Sequence, residues 1–117
     1  MSKDWTDARI KTFIISVLRA GTRRWPPKWN VKHAAATEKK INESTGRLAQ
    51  HYLCAKCKKD YPSSEVEVDH IKPVVNYKDG WTNWDDYITS LYCLEDNLQV
   101  LCLDCHKKKT LKENKKR

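Results

Sequence analysis

The chain has 117 residues, of which 39% are hydrophobic and 32% charged, so one domain with a small, marginal apolar core is expected. Lys plus Arg number 23 against 15 Asp plus Glu, a formal charge of +8 that favours a polyanionic partner, with nucleic acid the first candidate. The apolar run Phe13-Ile14-Ile15 is far too short to span a bilayer, and no secretory leader pattern precedes it. No membrane association and a reducing, cytoplasmic setting are therefore expected, where Cys-x-x-Cys pairs are more often metal ligands than disulfides.

Asp4 to Ala20 predicts an amphipathic helix, because Ile10, Phe13, Ile14, Val17 and Leu18 fall on one face. Gly21 is its stop. Trp25-Pro26-Pro27-Lys28-Trp29 predicts an extended connection, since each proline disfavours helix before it. Asn30 to Ile41, rich in Ala and Lys, predicts a second helix, and Ser44-Thr45-Gly46 a turn. A short strand from Gln50 to Leu53 leads into a first cysteine knuckle. Glu65 to His70 alternates Val66 and Val68 with polar residues and predicts a strand ended by Pro73. Asp79-Gly80 is a turn signal. The spacing of Trp84, Tyr87, Ile88, Leu91 and Tyr92 predicts a short helix over Asn83–Cys93. Leu98 to Leu101 predicts another strand. Cys102 opens a last helix to about Lys112, and the charged tail beyond it is expected to fray. The expected organisation is a helical extension over residues 1–49, a core over 50–113 and a basic tail over 114–117.

The densest signal lies in the core. Cys54 and Cys57 form one C-x2-C pair, and Cys102 and Cys105 form another after 44 intervening residues. A two-residue gap lets both sulfurs of a pair turn toward one ion, and four thiolates close a tetrahedral zinc site. The bland alternative is four reduced cysteines without metal. Cys93 stands outside both pairs and reads as a buried free thiol.

Asp69, His70, Asn97 and His106 remain. Carboxylate, imidazole and amide oxygen are groups that hold a hard divalent ion, and a neutral imidazole takes a proton from water near neutral pH. Asp69-His70 stands at the end of a predicted strand; alone it would read as a surface pair. His106 follows Cys105, and adjacent helix positions point about 100° apart. Cys105 can then face zinc while His106 faces another pocket, the alternative being His106 as a replacement zinc ligand. Asn97 either braces its loop or ligates the ion. Two basic clusters suit phosphate contacts: Lys107, Lys108 and Lys109, continued by Lys112, Lys115, Lys116 and Arg117, and Arg19, Arg23, Arg24 and Lys28 beside Trp25 and Trp29.

Val68-Asp69-His70-Ile71-Lys72-Pro73, then Asn97-Leu98-Gln99-Val100-Leu101-Cys102, then Cys105-His106-Lys107-Lys108-Lys109-Thr110 resembles the HNH endonuclease family, more narrowly its zinc-bound, phage-type members. The resemblance covers Cys54 to Thr110. It implies an α+β fold: a small zinc-stabilised ββα-metal (treble-clef-like) finger of the His-Me finger superfamily, here flanked by N-terminal helices. It also implies a divalent-metal-dependent nuclease that hydrolyses DNA phosphodiesters, with His70 as general base and Asp69 and His106 as ligands of Mg2+ or Mn2+. Asn97 would brace or ligate, and Cys54, Cys57, Cys102 and Cys105 would hold structural Zn2+. Double-stranded DNA is the implied partner. Some phage members assist a packaging terminase, which would place the chain, taken as a monomer, in a host cytoplasm. One departure is the 26 residues between His70 and Asn97, where compact members have a short loop. The competing reading is a non-catalytic zinc finger that binds DNA or protein. It needs the cysteines and the charge but not Asp69, His70 or His106. A thiol redox protein is a weaker third.

Overall fold

Helix α1 (Asp7–Gly21) begins at Thr6, whose hydroxyl accepts from the Arg9 N–H at 3.2 Å, an N-cap with Asp7 in the first turn. In the computed structural model, residues 4–75 and 80–116 are described, without the side chains of residues 115 and 116. The apolar face expected on α1 is only partly covered. Ile10 and Leu18 are half-buried, while Phe13, Ile14 and Val17 are exposed.

A one-turn 3-10 segment (Thr22–Arg24) leads to α2 (Pro26–Ala34). The extended connection expected over Trp25–Trp29 is confined to Trp25, at φ −68° and ψ 115°. The residue before a proline is pushed there, whereas a proline at the first helical position has a suitable φ and no N–H to leave unpaired. The two prolines thus start a helix.

The helix expected over Asn30–Ile41 is the second correction. Its first part belongs to α2, and its second part is strand β1 (Ala36–Asn42), antiparallel to β2 (Arg47–Leu53). Helix preferences of Ala and Lys are worth only tenths of a kcal/mol per residue, about 0.7 at most, and the hairpin outweighs them. Asn42 Oδ1 accepts from the Ser44 N–H at 2.9 Å, and Gly46 sits at φ +72°. That turn sets the register. Lys40 reaches across β2 to pair with Asp60 at 2.6 Å on strand β3 (Asp60–Pro62), a short element not anticipated from the sequence.

The remaining elements follow expectation closely. Strand β4 (Val66–His70) pairs antiparallel with β5 (Leu98–Cys102), bringing Asp69 opposite Gln99 and His70 opposite Leu98. Between them lies α3 (Trp84–Leu91), capped by Asn83, which accepts from the Asp86 N–H at 2.8 Å. Gly80 has the positive φ (+65°) of a turn; Asp79 lies outside the described residues. Helix α4 (Leu103–Lys116) starts one residue later than expected, because Cys102 completes β5. It also continues past Lys112 to Lys116, where fraying was expected, and Arg117 lies outside the described residues.

The fold is α+β: the described residues form two small sheets, β1-β2-β3 and β4-β5, with four α-helices. Strands β4 and β5 with α4 form the ββα finger. One cluster of its core is largely sulfur, with Cys54, Leu101, Cys102 and Cys105 together and Ala55 and Tyr61 against them, while Val66, Leu98 and Val100 are buried on the two strands. Helix α2 packs on β5 and touches β4, so the N-terminal part lies against the finger. Two side chains join it to the end of α3. Trp25 Nε1 donates to the Cys93 carbonyl at 2.6 Å, and Tyr92 Oη donates to the Leu18 carbonyl at 2.7 Å. Cys93 is half-buried there, beyond the end of α3. No helix among the described residues is long and apolar enough to cross a membrane.

Candidate active site and metal centre

The first cysteine pair sits in a tight knuckle. Lys58 N–H donates to the Cys54 carbonyl at 3.1 Å, and Cys54 N–H donates to the Lys59 carbonyl at 2.9 Å. Lys58 takes a left-handed φ of +63° to close it. Ala55 N–H donates to the Val100 carbonyl at 2.8 Å, pinning the knuckle to β5, the strand that ends in Cys102. One helical turn of α4 then returns Cys105.

The four sulfurs consequently lie within 4.8 Å of one another. A tetrahedral ion with zinc–sulfur bonds of about 2.3 Å separates its sulfurs by about 3.8 Å, so this cluster fits a metal such as zinc with small adjustments. The protonation pattern also fits a cation. Burial pushes the Cys54 thiol up, but hydrogen bonds from the backbone of Cys57, Cys102 and Lys56 outweigh it and bring the pKa down to about 6. Cys105, hydrogen-bonded to Cys102 and buried, is pushed up to about 12. The sulfurs share protons that a bound cation would displace.

On the other side of the first turn of α4, His106 points away from the sulfurs. Its Nε2 lies 3.6 Å from Asp69 Oδ1. The two oxygens of Asp69 have different neighbours. Oδ2 accepts from Lys109 Nζ at 3.0 Å and from Gln99 Nε2, directly across the strand pair, at 3.4 Å. Oδ1 faces His106. A carboxylate oxygen beside an imidazole nitrogen is a suitable donor pair for Mn2+ or Mg2+, which fill their remaining positions with water and phosphate oxygens.

His70 is fixed by a different device. The last carbonyls of a helix have no partner within it, and the Leu91 carbonyl at the end of α3 lies 2.9 Å from His70 Nε2. A carbonyl only accepts, so Nε2 carries the proton and Nδ1 of the neutral ring has its lone pair free. Burial, reinforced by the charges of Lys28 and Lys109, holds the His70 pKa below the ordinary histidine value, against opposing effects of Leu91 and Asp69. The ring is thus neutral at neutral pH.

Asn97 lies in a 3-10 turn (Glu95–Asn97) just before β5. Its Oδ1 accepts from the Lys72 N–H at 2.9 Å, and its backbone carbonyl accepts from the Ile71 N–H at 2.9 Å. Of the two roles open in the sequence, the geometry displays the brace: Asn97 holds the backbone directly after Asp69 and His70.

The basic residues divide. Arg23, Arg24, Lys107 and Lys108 are exposed. Lys28 is half-buried, with Nζ 3.2 Å from the Thr22 hydroxyl. Burial holds its pKa below the ordinary lysine value despite the opposing charges of Cys93, Glu67 and Asp69. Lys109 is turned inward. It bonds Asp69, the His70 carbonyl at 2.9 Å and Glu113 one turn along α4. Gln99, Leu91 and Glu113 were not foreseen. The i,i+4 spacing of Lys109 and Glu113 was a visible signal, but the other two depend on pairing and helix-end geometry.

The HNH endonuclease family model matches residues 54–112, half of the chain, spanning both cysteine pairs, Asp69-His70, Asn97 and His106. The chain belongs to the HNH endonuclease family. Over 64 residues it is 40% identical to a "Probable HNH endonuclease" of Lactococcus phage SK1, which covers 55% of this chain and 60% of that protein. No solved structure matches it. The HNH segment therefore contains the whole constellation, while α1, α2, β1 and β2 lie outside the matched residues.

Proposed function

We propose that this HNH protein is a divalent-metal-dependent endonuclease that hydrolyses phosphodiester bonds of double-stranded DNA. The observation that carries the reading is the approach of Asp69 to His106, with His70 the next residue along the same strand. Asp69 Oδ1 and His106 Nε2 converge at 3.6 Å, and the adjacent His70 has Nε2 committed to Leu91. That arrangement serves metal-assisted hydrolysis, and a zinc finger that only binds DNA has no use for it.

A Mg2+ or Mn2+ ion held by Asp69 and His106 would supply charge stabilisation at a non-bridging phosphate oxygen and at the leaving 3′ oxygen. The chain's own contribution is orientation and proton transfer. His70 Nδ1 takes a proton from a water whose oxygen bonds to phosphorus. The bond from phosphorus to the 3′ oxygen breaks, leaving a 5′-phosphate and, after protonation from solvent, a 3′-hydroxyl. Asn97 keeps the backbone after His70 in place. Arg23, Arg24, Lys107 and Lys108 contact the flanking phosphates, with Lys28 nearer the pocket. Zinc held by Cys54, Cys57, Cys102 and Cys105 would have no part in the chemistry; it would fix the first turn of α4 and thereby His106.

Within this reading the chain acts as a monomer. A phage packaging terminase is its candidate protein partner, on the strength of the resemblance to phage members. The deciding experiment incubates purified protein with supercoiled plasmid in Mg2+, Mn2+ or EDTA. Relaxed or linear product with Mg2+ or Mn2+ and none in EDTA is expected. Binding without cleavage under every divalent condition would instead favour the DNA-binding module.

A further inference from the structure

We propose that Lys109 is the resident counter-ion of Asp69, positioning that carboxylate and holding down the pocket's affinity for a divalent cation until a phosphate anion is present. The inference rests on the assignment of Asp69 and His106 as ion ligands.

Lys109 makes three bonds inside the pocket, to Asp69 Oδ2 at 3.0 Å, to the His70 carbonyl at 2.9 Å and to Glu113. Its side chain is 20% exposed and that of Asp69 only 14%, so water screens the pair incompletely. The bond does two things. With Gln99 it occupies Oδ2 and leaves Oδ1 toward His106, so the carboxylate presents one oxygen rather than two. It also balances charge. Asp69 and Glu113 contribute two negative charges, Lys109 one positive, and Lys28 brings another from α2, close enough to act on Asp69 and His70.

A divalent cation entering between Asp69 and His106 therefore meets a carboxylate whose charge is already offset by an ammonium bonded to it. Two positive groups so near each other repel strongly outside bulk water. A DNA phosphate brings the missing negative charge. The metal and the substrate then favour each other's binding, a reciprocal coupling, and the free protein holds its ion weakly.

The test is Mn2+ binding to the zinc-loaded, DNA-free protein, read from the loss of the free-ion paramagnetic resonance signal. Lys109→Gln keeps a hydrogen-bond donor near Asp69 and removes the charge. It should bind Mn2+ about tenfold or more tightly than wild type, the scale expected for a unit charge this close in a partly screened site. Lys109→Arg, which keeps the charge, should stay weak. Lys108→Gln, the same change at an exposed neighbour, should remain within about twofold of wild type, because water and salt screen it. Unchanged zinc content and melting temperature show that each variant is folded. Equal or weaker Mn2+ binding by Lys109→Gln, with Asp69→Asn still abolishing it, overturns the role of Lys109 alone. Mn2+ binding that survives Asp69→Asn overturns the pocket assignment and this inference with it.

Discussion

Two sites share the first turn of α4 and differ in almost every physical respect. The sulfur site is closed: four like groups within 4.8 Å, three of them buried, in one core cluster with Leu101. The polar pocket is open. His106 is 38% exposed, and it and Asp69 are unlike groups that come from separate elements. The difference teaches how the fold divides labour. A closed set of identical ligands is suited to holding chain segments together, whereas an open, mixed set leaves positions for water and substrate. Cys105 and His106 are neighbours in sequence, so the first site aims the second.

The largest expected effect comes from breaking the closed site. Cys54→Ser removes a sulfur with no solvent exposure from the cluster that joins the first knuckle to β5 and α4. Binding energy of a structural zinc is folding energy, on the order of 10 kcal/mol for small fingers. The variant should lose its zinc and its cooperative thermal transition, measured by elemental analysis and circular dichroism. A Cys54→Ser protein that melts like wild type would remove the distinction between the two sites.

A smaller effect should follow from loosening the open one. Asn97→Ala leaves the Lys72 N–H without its 2.9 Å acceptor, at a partly exposed position. The cost should be about 1 kcal/mol in denaturant unfolding, with full zinc content and reduced, but measurable, plasmid cleavage. If Asn97→Ala instead loses cleavage completely while its stability and zinc are untouched, Asn97 acts on the ion, and the open site has one more ligand than the brace geometry displays.

Legibility in the sequence followed the same division. The cysteine spacing was enough to anticipate one four-sulfur cluster, because two C-x2-C pairs have few other uses in one small domain. Strands β4 and β5, with the helix between them, were readable from valine alternation and from helical spacing at Trp84, Tyr87 and Leu91. The 100° step from Cys105 to His106 anticipated the two-sided first turn of α4. What stayed hidden depended on tertiary partners. Ala36–Asn42 carries helix-forming residues and becomes a strand because Arg47–Leu53 pairs with it. Pro26 and Pro27 suggested a break and begin a helix, since a proline signals a boundary without saying which side is helical. The acceptor for His70 is a main-chain carbonyl at the end of α3, and no residue type announces such a group. Lys109 was grouped with Lys107 and Lys108 as a phosphate-contacting cluster; only the fold shows that one of the three turns onto Asp69.

The central claim is that the sulfur site supports the fold while the polar pocket performs the chemistry. His70→Ala tests it most directly. Zinc content, melting temperature and metal-dependent plasmid cleavage would be measured on this variant beside wild type. The account predicts about one zinc per chain and a cooperative melting transition lowered by no more than the few degrees that losing the bond to Leu91 costs. It predicts cleavage reduced by about 10²–10⁴-fold, the usual contribution of a general base, and not restored by excess Mn2+. A His70→Ala protein that cuts at the wild-type rate, or one whose lost cleavage is accompanied by lost zinc and unfolding, would contradict it.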